Sequence, residues 1–123
     1  CNELKGQLGI QYCRTDNNDY WGGAVKQCGG VSKMPTMAQL GELASQLYVG
    51  NPSIGAKEDK EHIQFDTNSS TAKSLGLTPY FYLWSGEENS SDYAYRRGFS
   101  TTGSYWSYGG RYGSRSQAVC LGE

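Results

Sequence analysis

The sequence predicts one α+β domain with its helices first and its strands last. Three observations carry this. The chain has 123 residues, the length of a single domain with a real core. Apolar residues recur at helical spacing between Trp21 and Leu47, with capping chemistry at the segment starts. From Pro79 onward the chain becomes aromatic and glycine-punctuated, which is strand and turn composition. Helices followed by strands differ from the alternation of a parallel sheet.

Each element follows from local chemistry. Leu8-Gly9-Ile10 with Tyr12 reads as a short strand in a polar segment. Asn17-Asn18-Asp19 offers side-chain oxygens that cap orphan helix N–H groups. Trp21, Ala24, Val25 and Cys28 then lie on one helical face, and Gly29-Gly30 ends the helix. Thr36 and Gln39 have the spacing of a capping box. Met37, Leu40, Leu43, Ala44 and Leu47 form the apolar stripe of that second helix, and Gly50 is its expected stop. Residues 49–70 read as loop. Ser69 or Ser70 caps a short helix through Ala72 and Leu75, closed by Gly76. Tyr80 to Trp84 is a strand, and Gln117 to Leu121 reads as a final strand.

Composition removes several function classes. Eleven basic and 12 acidic residues leave a net charge of -1. That balance argues against phosphate neutralisation, hence against nucleic acid as partner, and against a polybasic membrane module. No apolar run is long enough to span a bilayer, so no membrane insertion is expected. No secretory signal stands at the start, which suggests a mature, trimmed or truncated chain. One histidine and no Cys-x-x-Cys give no zinc site. His62 sits in the charged run 57–62, which reads as a solvated loop rather than a catalytic base. No catalytic residue, metal or cofactor is expected.

The cysteines are Cys1, Cys13, Cys28 and Cys120. An even count in a small chain suggests disulfides and an oxidising compartment. Three pairings are open. Cys1 with Cys13 would staple the N-terminal segment, and Cys28 with Cys120 would tie the ends of the domain.

Residues 89–116 carry the functional signal. Ser, Gly, Tyr and Arg fill 21 of these 28 positions, and 11 of the chain's 16 aromatics lie between Tyr80 and Tyr112. Tyr and Trp give stiff, amphipathic contact area, Ser and Gly give adaptable geometry, and Arg gives a hydrogen-bonding fork. Four arginines stand against one acid, Asp92, in this window. The expected ligand-binding set is Asp92, Tyr93, Arg96, Arg97, Thr101, Ser104, Tyr105, Trp106, Tyr108, Arg111 and Tyr112. Core roles are expected for about a third of the aromatics, Tyr95 and Phe99 among them.

Several separated stretches resemble bacterial C-type lectin-like domains. They are Trp21-x-x-Ala24-Val25-x-x-Cys28, Met34-Pro35-Thr36-x-x-Gln39-Leu40-x-x-Leu43, Leu83-Trp84-Ser85-Gly86-Glu87, Ala94-Tyr95 with Phe99, and Ala118-Val119-Cys120-Leu121. The family usually reads Trp-Arg-Leu-Pro-Thr where this chain has Ser32-Lys33-Met34-Pro35-Thr36. The likeness covers roughly residues 19–48 and 80–121. It implies two helices, a twisted and mainly antiparallel sheet, and a Cys28–Cys120 bond, which leaves Cys1 with Cys13. The oxygen-ligand motifs of the Ca²⁺-dependent sugar binders are missing. Glu87, Glu88, Asn89 and Asp92 are too few ligands alone.

The Tyr/Ser/Gly/Arg stretch further resembles the variable proteins of diversity-generating retroelements and the related lectin-like domains of pilin-like surface proteins. The resemblance implies an extracellular or cell-surface adhesin that binds a protein or glycan receptor on another cell or surface. It also allows a parent surface assembly or pilus. Alternatives are a pilin or surface-fibre subunit and a Ca²⁺-dependent lectin. The formylglycine-generating enzymes share the fold but are far longer and need reactive cysteines, so no enzyme is expected.

Overall fold

A computed structural model describes residues 18–121. The expected Leu8–Tyr12 strand and the Cys1–Cys13 pair lie outside the described residues. The chain is α+β, with three helices and a four-stranded antiparallel sheet.

Helix α1 spans Tyr20–Cys28. Asp19 caps it by accepting the Gly22 N–H at 2.8 Å. Gly22 is needed there, because a Cβ would collide with the Asp19 carboxylate. Gly29, in the left-handed region at φ 94°, ends the helix. Helix α2 spans Met37–Leu47 and starts with the full capping box of Thr36 and Gln39. It ends before Gly50. Tyr48 leaves the helix to form a bridge with Phe65, and that pairing terminates it. Helix α3 spans Ser70–Leu75, between Ser69 as N-cap and Gly76 in the left-handed region.

The sheet contains β1 (Lys60–Glu61), β2 (Phe81–Glu88), β3 (Tyr93–Ser100) and β4 (Gly103–Gly110), in the order β1-β4-β3-β2. The loop expected over 49–70 is therefore interrupted by a two-residue edge strand on β4. Gln117 to Leu121 is not a strand. It makes one parallel bridge, with Gln117 N–H reaching Tyr82 O at 2.8 Å and Gln117 O accepting from Trp84 N–H at 2.9 Å. Beyond Gln117 the chain turns to the first helix, where Cys120 bonds Cys28 and Leu121 N–H reaches Lys33 O. Burial of Ala118 and Val119 made the segment resemble a strand; tertiary docking, not a ladder, buries them.

Register sorts the strand residues onto two faces. Phe81 opposes Phe99, Leu83 opposes Arg97, and Arg97 opposes Trp106 on one face. Tyr82, Gly98 and Tyr105 align on the other. On the first face, Phe81, Leu83 and Phe99 join the core with Leu40, Ala44 and Leu47 of α2. Phe81 and Phe99 stack at 4.7 Å. On the second face, Trp84 and Ala94 pack with Tyr20, Trp21, Ala24 and Ala118. The two cores thus cover opposite faces at opposite ends of β2 and β3. Each face keeps one uncovered end.

The Cys28–Cys120 disulfide closes a loop with a sequence separation of 92. Chain entropy assigns a loop of this size about 4–5 kcal/mol.

Candidate functional site

The expected binding residues do not form one surface. The sheet distributes them among its interior, its two faces and its two ends.

Two of them are interior. Arg97 is 0% exposed. Its Nη2 donates to Gly55 O at 2.8 Å and Glu58 O at 2.7 Å, and its Nη1 donates to Ser104 Oγ at 3.3 Å. Burial lowers its pKa, and Asp59, Tyr48 and Glu58 oppose that shift. Ser104 is also 0% exposed and donates to Gly98 O. Both were expected at the surface. Instead they bind the 55–59 loop and the β3–β4 pair from inside, and cannot reach a ligand.

Arg111 is structural too. Its Nε donates to Asp19 Oδ1 at 2.9 Å, its Nη2 pairs with Asp19 Oδ2, and its Nη1 lies 3.2 Å from Glu88 Oε2. The Asp19 hydrogen bond raises its pKa against the effect of burial. Its guanidinium also lies 4.8 Å from the Trp21 ring centroid.

The side chains of Glu87, Glu88, Asn89 and Asp92 separate as well. Glu87 accepts the Met37 N–H at 2.7 Å and so caps α2. Glu88 faces Arg111. The two carboxylates are thus drawn apart, one to the start of α2 and the other to the residue after β4. Asn89 N–H donates to Tyr93 O in the turn, and Asp92 is exposed. His62 is exposed on the loop, as expected.

The aromatic residues do converge. Tyr93, Tyr95, Trp106 and Tyr108 share the uncovered end of the first face. Tyr93 and Tyr108 meet edge to face at 5.7 Å, as do Trp106 and Tyr108 at 6.3 Å, while Tyr95 and Trp106 lie tilted at 5.6 Å. Tyr95 and Trp106 lean on the core, while Tyr93 and Tyr108 remain 45% and 49% exposed. Tyr112 follows at the same end of the hairpin and is 50% exposed. Asp59 accepts the Trp106 N–H, which closes the β4 edge beneath the cluster. The rings therefore stand on a paired backbone with a fixed inner row and a free outer row.

A second patch occupies the uncovered end of the other face. Tyr82 lies flat over Gly98, where a Cβ would stand 2.6 Å from its ring. Arg96 stacks on Tyr82 with its Cζ 4.0 Å from the ring centroid. Tyr105 lies across from Gly98, and Tyr80 is largely exposed. Thr101 sits in the turn beside them, its hydroxyl 3.3 Å from the Tyr80 hydroxyl. A groove of about 290 Å³ runs between Tyr80, Phe81, Tyr82, Gly98, Phe99, Ser100 and Tyr105.

Sequence reasoning missed Tyr80 and Tyr82 as surface residues. Their alternation with Phe81 and Leu83 was the available signal, since period two puts them opposite the core. Among the described residues, no helix is long and apolar enough to cross a membrane, and no three His, Cys, Asp or Glu residues are placed to hold a metal. No protein-family model, curated protein or solved structure matches the chain.

Proposed function

We propose that the chain is a ligand-binding domain of the C-type lectin-like kind, displayed outside the cell, that contacts a protein or glycan receptor through Tyr93, Tyr108 and Tyr112. The observation that carries this is the exposed outer row of rings on a hairpin whose inner row is partly buried against the core. Exposed Tyr on a rigid element provides contact area at low entropic cost. The Cys28–Cys120 bond suits an oxidising compartment. The Tyr/Ser/Gly/Arg bias of 89–116 supports a variable adhesin of a diversity-generating retroelement within this class.

Deep sequencing of the gene segment for residues 85–121 across a natural population tests the reading. The expected result is substitution at template-adenine codons, with Trp84, Arg97 and Cys120 constant and the exposed positions 93, 108 and 112 varied. A uniform segment overturns the retroelement assignment. Substitution spread evenly over buried and exposed positions overturns the binding-surface assignment.

A further inference from the structure

Arg96 is the neighbour of Arg97 but has a different environment. Arg97 reaches two loop carbonyls, and Arg111 holds Asp19 and Glu88. Among the described residues the Arg96 guanidinium makes one hydrogen bond, from Nη1 to Ser116 Oγ at 2.9 Å. Its Nε is buried without an acceptor, and no carboxylate pairs with it among the described residues. Burial pulls its pKa down, while Tyr82 opposes the shift. An arginine nevertheless stays charged at ordinary pH. A half-buried cation with spare donors lacks the acid that such a group ordinarily meets.

The groove beside it is apolar. Its aromatic lining on this face is Tyr80, Tyr82 and Tyr105. Of its polar side chains, the Ser100 and Tyr80 hydroxyls already have partners. Ser100 Oγ donates to Gly103 O, and the Tyr80 hydroxyl lies 3.3 Å from the Thr101 hydroxyl. A sugar ring would leave most of its hydroxyls unmatched against such walls. An apolar side chain would not. Tyr82 belongs to both features, because it lines the groove and carries the guanidinium.

We propose that Arg96 and this groove form a second binding site, on the face opposite Tyr93 and Tyr108, for an acidic peptide segment of a partner protein. An apolar side chain of the partner fills the groove. A neighbouring Asp or Glu carboxylate accepts charge-assisted hydrogen bonds from the Arg96 guanidinium.

The test is an NMR titration of the ¹⁵N-labelled, disulfide-intact domain with acetyl-Phe-Glu-amide and acetyl-Phe-Gln-amide. The expected result is a saturable shift of the Arg96 Nε–Hε signal and the Tyr82 and Tyr105 ring signals. Affinity should be about tenfold higher for the Glu peptide, the scale of one charged hydrogen bond. Arg96→Gln should abolish that preference while the Arg111 Nε–Hε signal stays in place. Tyr80→Ser, at a largely exposed wall of the groove, should weaken both peptides alike and leave the spectrum folded, so it serves if Arg96→Gln disturbs the fold. Equal affinity for the two peptides overturns the proposal, as does the absence of saturation at tens of millimolar. So does tighter binding of glucuronate than of the Glu peptide, or shifts confined to Tyr93 and Tyr108. Failure here leaves the Tyr93–Tyr108 reading standing, since that surface lies on the other face.

Discussion

Arg111 grips Asp19 across 92 positions of sequence, with Nε donating to Oδ1 at 2.9 Å. Arg111 O also accepts the Tyr20 N–H. One residue after β4 thereby secures both the cap and the first turn of α1. Burial acts to raise the Asp19 pKa, but the Arg111 hydrogen bond, the Gly22 N–H and the Arg111 charge outweigh it, and the net shift is downward. A depressed carboxylate pKa gives stability that is fully present above its unfolded value and lost as pH falls through the folded one. Asp19→Asn should therefore flatten the loss of stability below about pH 4. It should also cost about 3 kcal/mol at neutral pH by leaving Arg111 without its main partner. Urea melts between neutral and strongly acid pH check both.

Tyr48 carries the opposite dependence. Its hydroxyl lies 2.7 Å from Ser100 O and 2.6 Å from Gly103 O, at the β3–β4 turn. Burial raises its pKa well above the usual tyrosine value; the Ser100 hydrogen bond opposes this. That stability is fully present below the ordinary tyrosine pKa. It is lost as pH climbs from there through the higher folded value. Tyr48→Phe should cost about 1–2 kcal/mol at pH 7 and remove this part of the alkaline loss. Thermal melts from neutral to alkaline pH read it.

Arg97→Met should free the 55–59 loop. The variant loses both carbonyl contacts and the Ser104 contact, and leaves buried acceptors behind. The expected cost is about 3 kcal/mol. Amide hydrogen exchange should speed up at residues 55–60 before it does so in α2. Unchanged loop exchange would contradict this assignment.

The Tyr93→Ser, Tyr108→Ser and Tyr112→Ser combination should lower Tm by only a few degrees, because its rings are about half exposed. Trp106→Ser alone should lower it more, because that ring packs against the core. Differential scanning calorimetry of the two proteins decides. The reverse order would place the outer row in the core.

Cys28→Ser with Cys120→Ser should remove about 4 kcal/mol. The loss should appear as earlier melting of the Trp84–Trp21–Ala118 cluster, which the bond holds against β2. Trp fluorescence under reducing and oxidising conditions reports it.

Local chemistry made the helix starts legible. Asp19, Thr36 with Gln39, and Ser69 each satisfy a donor within three residues, so a short window contains the answer. The aromatic composition of Tyr80 to Trp84 made the first half of β2 legible for the same reason. The buried fate of Arg97 was not legible. Its acceptors are 42 and 39 residues away on a loop without periodicity, so only the folded chain brings them together. Gln117 to Leu121 misled because an apolar tetrad reads the same whether a ladder or a helix covers it. The division of the Tyr/Arg stretch between two faces depends on register, which composition does not encode.

The sandwich of fixed and free residues in this hairpin has a consequence for what it can become. Twenty-eight positions written mostly in four letters look like open text. Much of it is grammar. Gly98 admits the Tyr82 ring, Gly109 lies against the Arg96 guanidinium, and Arg97 and Ser104 lock the strands from inside. A substitution there breaks the page rather than changing the word. The writable letters are the outward ones, and period two spaces them. A repertoire built on this scaffold would explore far fewer sequences than its composition advertises, and nearly all of them would still fold.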